Sequence, residues 1–151
     1  GERTPAAYRE LQRRVTDADR TAAREAFLKD TRDTATPRGM ARLLSAVWRR
    51  EALDEAGSAL LLDIMFRCET SPTRLKGMLP QGTRVAHKTG TLTPGVAADV
   101  GIIELPGDAG HVVVAAFIKG STADAATQDR AIAHVARTVH DYFTLRPGAR
   151  P

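Results

Sequence analysis

The apolar pattern changes period once along the chain, and that change restricts the fold more than any other feature. Up to residue 80 the apolar residues recur at helical spacing. Met40, Leu43, Leu44, Val47 and Trp48 form one stripe at i, i+3, i+4, i+7 and i+8, and Leu53, Leu60, Leu61, Ile64 and Met65 form a second. After Pro80-Gln81-Gly82 the pattern becomes that of strands, over 84–92, 97–105 and 111–119. Short turns join them, one containing Pro94-Gly95 and one spanning Pro106 to Gly110, so an antiparallel meander is expected. A terminal helix over 122–144 follows, with Ile132, Val135, Ala136, Val139 and Phe143 as its stripe. The expected class is therefore α+β: helices over 1–80, three strands, one covering helix.

Local signals mark the boundaries. Residues 5–30 read as polar helix, with Tyr8, Leu11 and Val15 on one side. Thr36-Pro37 is a capping hydroxyl followed by proline at the first helical position. Ser71-Pro72 repeats that signal and predicts a short helix ending at Gly77. Aromatic residues make up only 5 % of the chain, so the core must be aliphatic. One sheet of three apolar strands under one helix is thin, and its β-branched runs predict cover on both faces.

Charge and cysteine usage exclude several classes. Residues 1–50 carry twelve Lys and Arg against seven Asp and Glu, while the rest is near neutral. The arginines alternate with acids as on a solvated helix face, and no nucleic-acid motif accompanies them. No apolar run reaches the roughly 18 residues of a membrane span. Cys68 is the single cysteine and reads as a structural thiol. His134 and His140 lie six residues apart, about 240° around a helix, so they do not form a two-histidine metal site. Trp48 and Met40 read as core, His111 as exposed, and Asp99 as a structural carboxylate serving local N–H donors.

One tripeptide carries chemistry. Lys88-Thr89-Gly90 sits late in the first strand, within His87-Lys88-Thr89-Gly90-Thr91. A lysine beside a nucleophile raises the positive potential and relays a proton. A threonine hydroxyl donates to a substrate carboxylate. Glycine lets a substrate backbone lie along the strand. The Thr91 N–H can meet a developing oxyanion, where one donor is worth roughly 10²–10³ in rate. His87 alternates to the other face and reads as packed or solvated rather than catalytic.

Lys-Thr-Gly on a strand is the third motif of class A β-lactamases and penicillin-binding proteins. The surrounding sequence resembles that family over residues 30–145. Asp33 through Ala41 is similar to the exit of an omega loop into a helix. Arg74-Leu75, Leu79-Pro80 and Val85 through Thr91 resemble the approach to the active-site strand, and Ala98 through Ile103 the next strand. The resemblance implies the C-terminal portion, residues 1–151, of a single β-lactamase/transpeptidase-like domain with a five-stranded antiparallel sheet.

It also implies an acyl-enzyme mechanism on β-lactam, D-Ala-D-Ala-like amide or ester substrates, without metal or cofactor. Lys88 and Thr91 would be the catalytic residues, and Thr89 and Gly90 the substrate-binding ones. None of Ser45, Ser58, Ser71 and Ser121 has lysine three residues on, so the Ser-x-x-Lys nucleophile is expected on an upstream segment of the same protein. The start Gly1-Glu2-Arg3-Thr4-Pro5, with no Met, reads as the product of processing, cloning or a chain break. The chain contains no asparagine, which removes both Ser-Asp-Asn and the Glu-x-x-x-Asn omega-loop signature, and Glu25 does not replace the latter. A DD-peptidase, an esterase or an atypical β-lactamase is implied, with a catalytically inactive binding module of the same fold as the alternative. Members of the family mostly act outside the cytoplasm.

Overall fold

The computed structural model describes residues 4–32, 34–92, 95–107 and 109–146. Asp33, Pro94, Asp108 and the first three residues, each named above, lie outside that set. The chain divides into two compact units, Gly1–Thr34 and Ala35–Pro151.

The first unit holds α1 (Pro5–Arg14) and α2 (Asp17–Lys29), not one helix. The break is chemical. Thr16 caps the Asp19 N–H at 3.1 Å, while the Asp19 carboxylate accepts from the Thr16 N–H at 2.9 Å. This reciprocal capping box starts a new helix. Neither helix buries a residue, and Tyr8, Leu11, Val15 and Phe27 are exposed.

The second unit begins as expected. The Thr36 hydroxyl accepts from the Gly39 N–H at 3.0 Å and opens α3 (Pro37–Trp48). Asp54 caps α4 (Glu55–Phe66) in the same way. Then come β1 (Val85–Thr91), β2 (Ala97–Glu104) and β3 (His111–Ile118), in an antiparallel sheet of order β1-β2-β3. Helix α5 (Ala125–Leu145) closes the order.

Both sheet faces are covered. On one, Ile132 and Ala136 of α5 pack with Leu75, Val85, Ile103, Val112 and Val114. On the other, Leu44 of α3 and Met65 of α4 pack with Ala86, Val100 and Ile102. The expected helical stripes are rotated slightly. Leu43, Leu60, Ile64 and Val135 are exposed, because each lies about 100° from the neighbour that meets the sheet. Met40 and Trp48 are half-buried at the edge of the second cluster. Exposed His111 stacks on Trp48, ring centres 4.3 Å apart.

The helix expected at 72–77 is absent. Ser71 takes φ +45°, a left-handed conformation, and the segment runs as successive tight turns. The Leu75 N–H, which a helix would send to Ser71, goes instead to the Asp99 carboxylate at 3.1 Å. Tertiary contact overrides the local capping signal. No described helix is long and apolar enough to cross a membrane.

Candidate active site

The Lys-Thr-Gly residues occupy the C-terminal end of β1, an edge strand among the described residues. Alternation divides them. Val85, His87 and Thr89 face α5, while Ala86 and Lys88 face α3 and α4. Lys88 and Thr89 thus lie on opposite faces of the strand at the sheet edge formed by β1 among the described residues. Lys88 is exposed, and its ammonium donates to the Thr89 carbonyl at 2.6 Å. Thr89 is half-buried, and Gly90 and Thr91 are exposed.

Two glycines in the paired strands differ in what demands them. A Cβ on Gly101 would lie 2.4 Å from the Ala86 carbonyl and 2.8 Å from the His87 Cβ, so packing within the sheet requires glycine there. A Cβ on Gly90 would meet only the Ala98 Cβ, at 3.8 Å. The chain itself does not require glycine at 90.

Behind the strand end sits a residue that sequence reasoning quoted but gave no role. Arg74 is 5 % exposed. Its Nη1 donates to the Gly90 carbonyl at 2.9 Å and the Ala98 carbonyl at 3.0 Å. Its Nη2 donates to the Thr91 hydroxyl at 2.8 Å, and its Nε to Asp129 of α5 at 2.8 Å. Thr73 donates to the same Asp129 carboxylate at 2.6 Å. Burial by itself pushes the Asp129 carboxyl up. The hydrogen bonds from Thr73 and Arg74, with the guanidinium charge, outweigh it and hold the group below the ordinary carboxylate range. The guanidinium therefore stays paired and places fixed positive charge beneath Gly90 and Thr91.

The second anchor is His87, which is fully buried, so of the two readings it is packed and not solvated. Its Nδ1 lies 2.9 Å and 3.0 Å from the two Asp99 oxygens, and its Nε2 lies 3.3 Å from the Cys68 carbonyl. Asp99 is the structural carboxylate expected, but its donors come from far along the chain rather than nearby. The Lys76 ammonium also donates to the Cys68 carbonyl, at 2.8 Å. Sequence reasoning missed Thr70 as well: its hydroxyl lies 2.6 Å from that of Thr89. Among the described residues, no group of three His, Cys, Asp or Glu side chains is placed to hold a metal ion.

Residues 4–143 match the β-lactamase enzyme family, Beta-lactamase2. The chain belongs to that family. It is 42 % identical over 110 residues to the extended-spectrum β-lactamase PER-1 of Pseudomonas aeruginosa, covering 70 % of this chain and 35 % of that protein. It is 33 % identical over 116 residues to β-lactamase VEB-1 of the same organism, covering 72 % and 38 %. Among solved structures it superposes on a β-lactamase of Xanthomonas campestris pv. campestris with TM-score 0.71 and 34 % identity, over 75 % of this chain and 42 % of that one. The ancestral class A β-lactamase GNCA gives TM-score 0.71 and 36 % identity, over 76 % and 44 %. The α+β class and the β-lactamase-like fold are thus established. The chain spans well under half the length of each of these relatives.

Proposed function

We propose that this chain is the substrate-facing part of a serine β-lactamase-like hydrolase working through an acyl-enzyme. The nucleophilic serine belongs to the portion of its relatives' length that this chain does not span. Lys88 supplies positive potential and assists proton transfer at that serine. The Thr89 hydroxyl takes the substrate carboxylate. Gly90 leaves room for the substrate, and the Thr91 N–H donates to the oxyanion. Arg74 fixes the last two by holding the Gly90 carbonyl and the Thr91 hydroxyl. The substrates proposed are β-lactams, with D-Ala-D-Ala-like amides and esters as related acyl groups.

The observation that carries this reading is the strand end itself. A cation, a hydroxyl and a glycine free of internal packing demands follow one another on a free sheet edge, above a buried guanidinium. The test is labelling of the full-length protein by a fluorescent penicillin, with ester turnover as a second readout. Labelling is expected, and Lys88→Met should slow it at least ~100-fold, the lower range for a lost proton-transfer group. Reversible binding without acylation would favour the inactive binding module. Absence of labelling and of ester turnover would remove the hydrolase reading.

A further inference from the structure

Cys68, Thr70 and Thr89 form a chain of three donor–acceptor side chains. The Cys68 Sγ lies 3.2 Å from the Thr70 Oγ1, which lies 2.6 Å from the Thr89 Oγ1. The 68–70 backbone is held where this contact forms, because Lys76 and His87 both reach the Cys68 carbonyl, at 2.8 Å and 3.3 Å. Thr70 is exposed and so reaches the same open strand end as Thr89.

Each hydroxyl has one hydrogen, so the Thr70–Thr89 contact runs in one of two directions. In the first, the thiol donates to Thr70, Thr70 donates to Thr89, and the Thr89 hydrogen is left for a ligand. In the second, Thr89 donates to Thr70 and the Thr70 hydrogen goes to the sulfur or to solvent, leaving Thr89 an acceptor only. The two differ little without a ligand, since a thiol is both a weak donor and a weak acceptor. A carboxylate accepts and does not donate, so it selects the first, and its charge makes it do so more strongly than an ester carbonyl, which also only accepts. Accepting from Thr70 also polarises the Thr89 hydroxyl and strengthens what it donates.

We propose that Thr70 is a positioning residue that turns the Thr89 hydroxyl into a donor for anionic acyl substrates, so that preference for a free carboxylate over its neutral ester depends on the Thr70 side chain. This rests on the site reading above and deepens it by naming what sets the substrate's charge requirement.

The test compares a penicillin-type β-lactam with its methyl ester on the full-length protein, wild type and variants. Thr70→Val keeps the shape and removes the hydroxyl. It is expected to raise KM for the free acid about fivefold, the effect of one net hydrogen bond, with kcat for that substrate unchanged and a distinctly smaller rise in KM for the ester. Thr70→Ser should restore the acid's KM. The inference is overturned if Thr70→Val leaves the preference for the acid intact, or lowers activity equally on acid and ester as a folding defect would. A wild-type protein that turns over neither compound overturns the site reading, and this one with it.

Discussion

The His87 imidazole and the Asp99 carboxylate are paired at 2.9 Å with neither side chain exposed to solvent. His87 precedes Lys88 directly, and Asp99 stands opposite Thr89 in the sheet register. The pair therefore ties the Lys-Thr-Gly end of β1 to β2 and, through the Cys68 carbonyl and the Leu75 N–H, to the turns before the sheet. A buried acceptor that loses its hydrogen-bond partner is costly, at about 1–3 kcal/mol. We expect His87→Ala to lower the stability of the full-length protein by that order. His87→Gln, which retains an amide donor, should lose less. Urea unfolding of the three proteins measures both, and an alanine variant within 1 kcal/mol of wild type, on the order of a surface substitution, would show that the pair anchors nothing.

The two glycines of the β1–β2 pair make opposite predictions. Gly101→Ala forces a methyl group against the Ala86 carbonyl and the His87 Cβ, both held by the sheet. Overpacking of this kind costs about 1–3 kcal/mol, and thermal unfolding should show it directly. Gly90→Ala meets no such obstacle, so its stability should stay within about 0.5 kcal/mol of wild type. Its loss should appear instead in β-lactam acylation, because the added methyl stands where the substrate is proposed to lie. Equal stability losses in both variants would mean that Gly90 serves the fold and not a ligand.

What the sequence made legible was local and periodic. The period change placed β1, β2 and β3 within a residue or so of their ends, and Thr36-Pro37 placed the start of α3. Lys88 through Thr91 stood out because the tripeptide is contiguous. Arg74, Thr70 and Asp129 did not, since their partners lie 16 to 56 residues away and no spacing rule links them. The same cause explains the helix wrongly expected after Ser71. Its capping signal is real, but the Asp99 carboxylate claims the Leu75 N–H from 24 residues away. The break at Thr16 was readable, as Thr16 and Asp19 have capping-box spacing, but the continuous polar pattern masked it.

The bridge from Arg74 to Asp129 connects acid stability to the geometry of the site. The Asp129 carboxyl is held below its ordinary value by Thr73 and Arg74 despite burial. A depressed folded-state value means that the unfolded chain takes up the proton more readily. The stabilisation is therefore complete above the unfolded value of about 3.9, and is lost as pH falls below it through the folded value. Asp129→Asn abolishes this titration. The stability difference between wild type and Asp129→Asn should be largest near neutral pH and shrink below about pH 4, measured by denaturant midpoints from pH 7 downward. A difference that stays constant into strong acid would show that the carboxylate's charge contributes nothing. Because the same guanidinium holds Gly90 and Thr91, the variant should also lose β-lactam acylation at neutral pH while it remains folded. Arg74→Lys should not rescue the site, because one ammonium cannot replace a planar fork that spans Asp129, two strand carbonyls and the Thr91 hydroxyl.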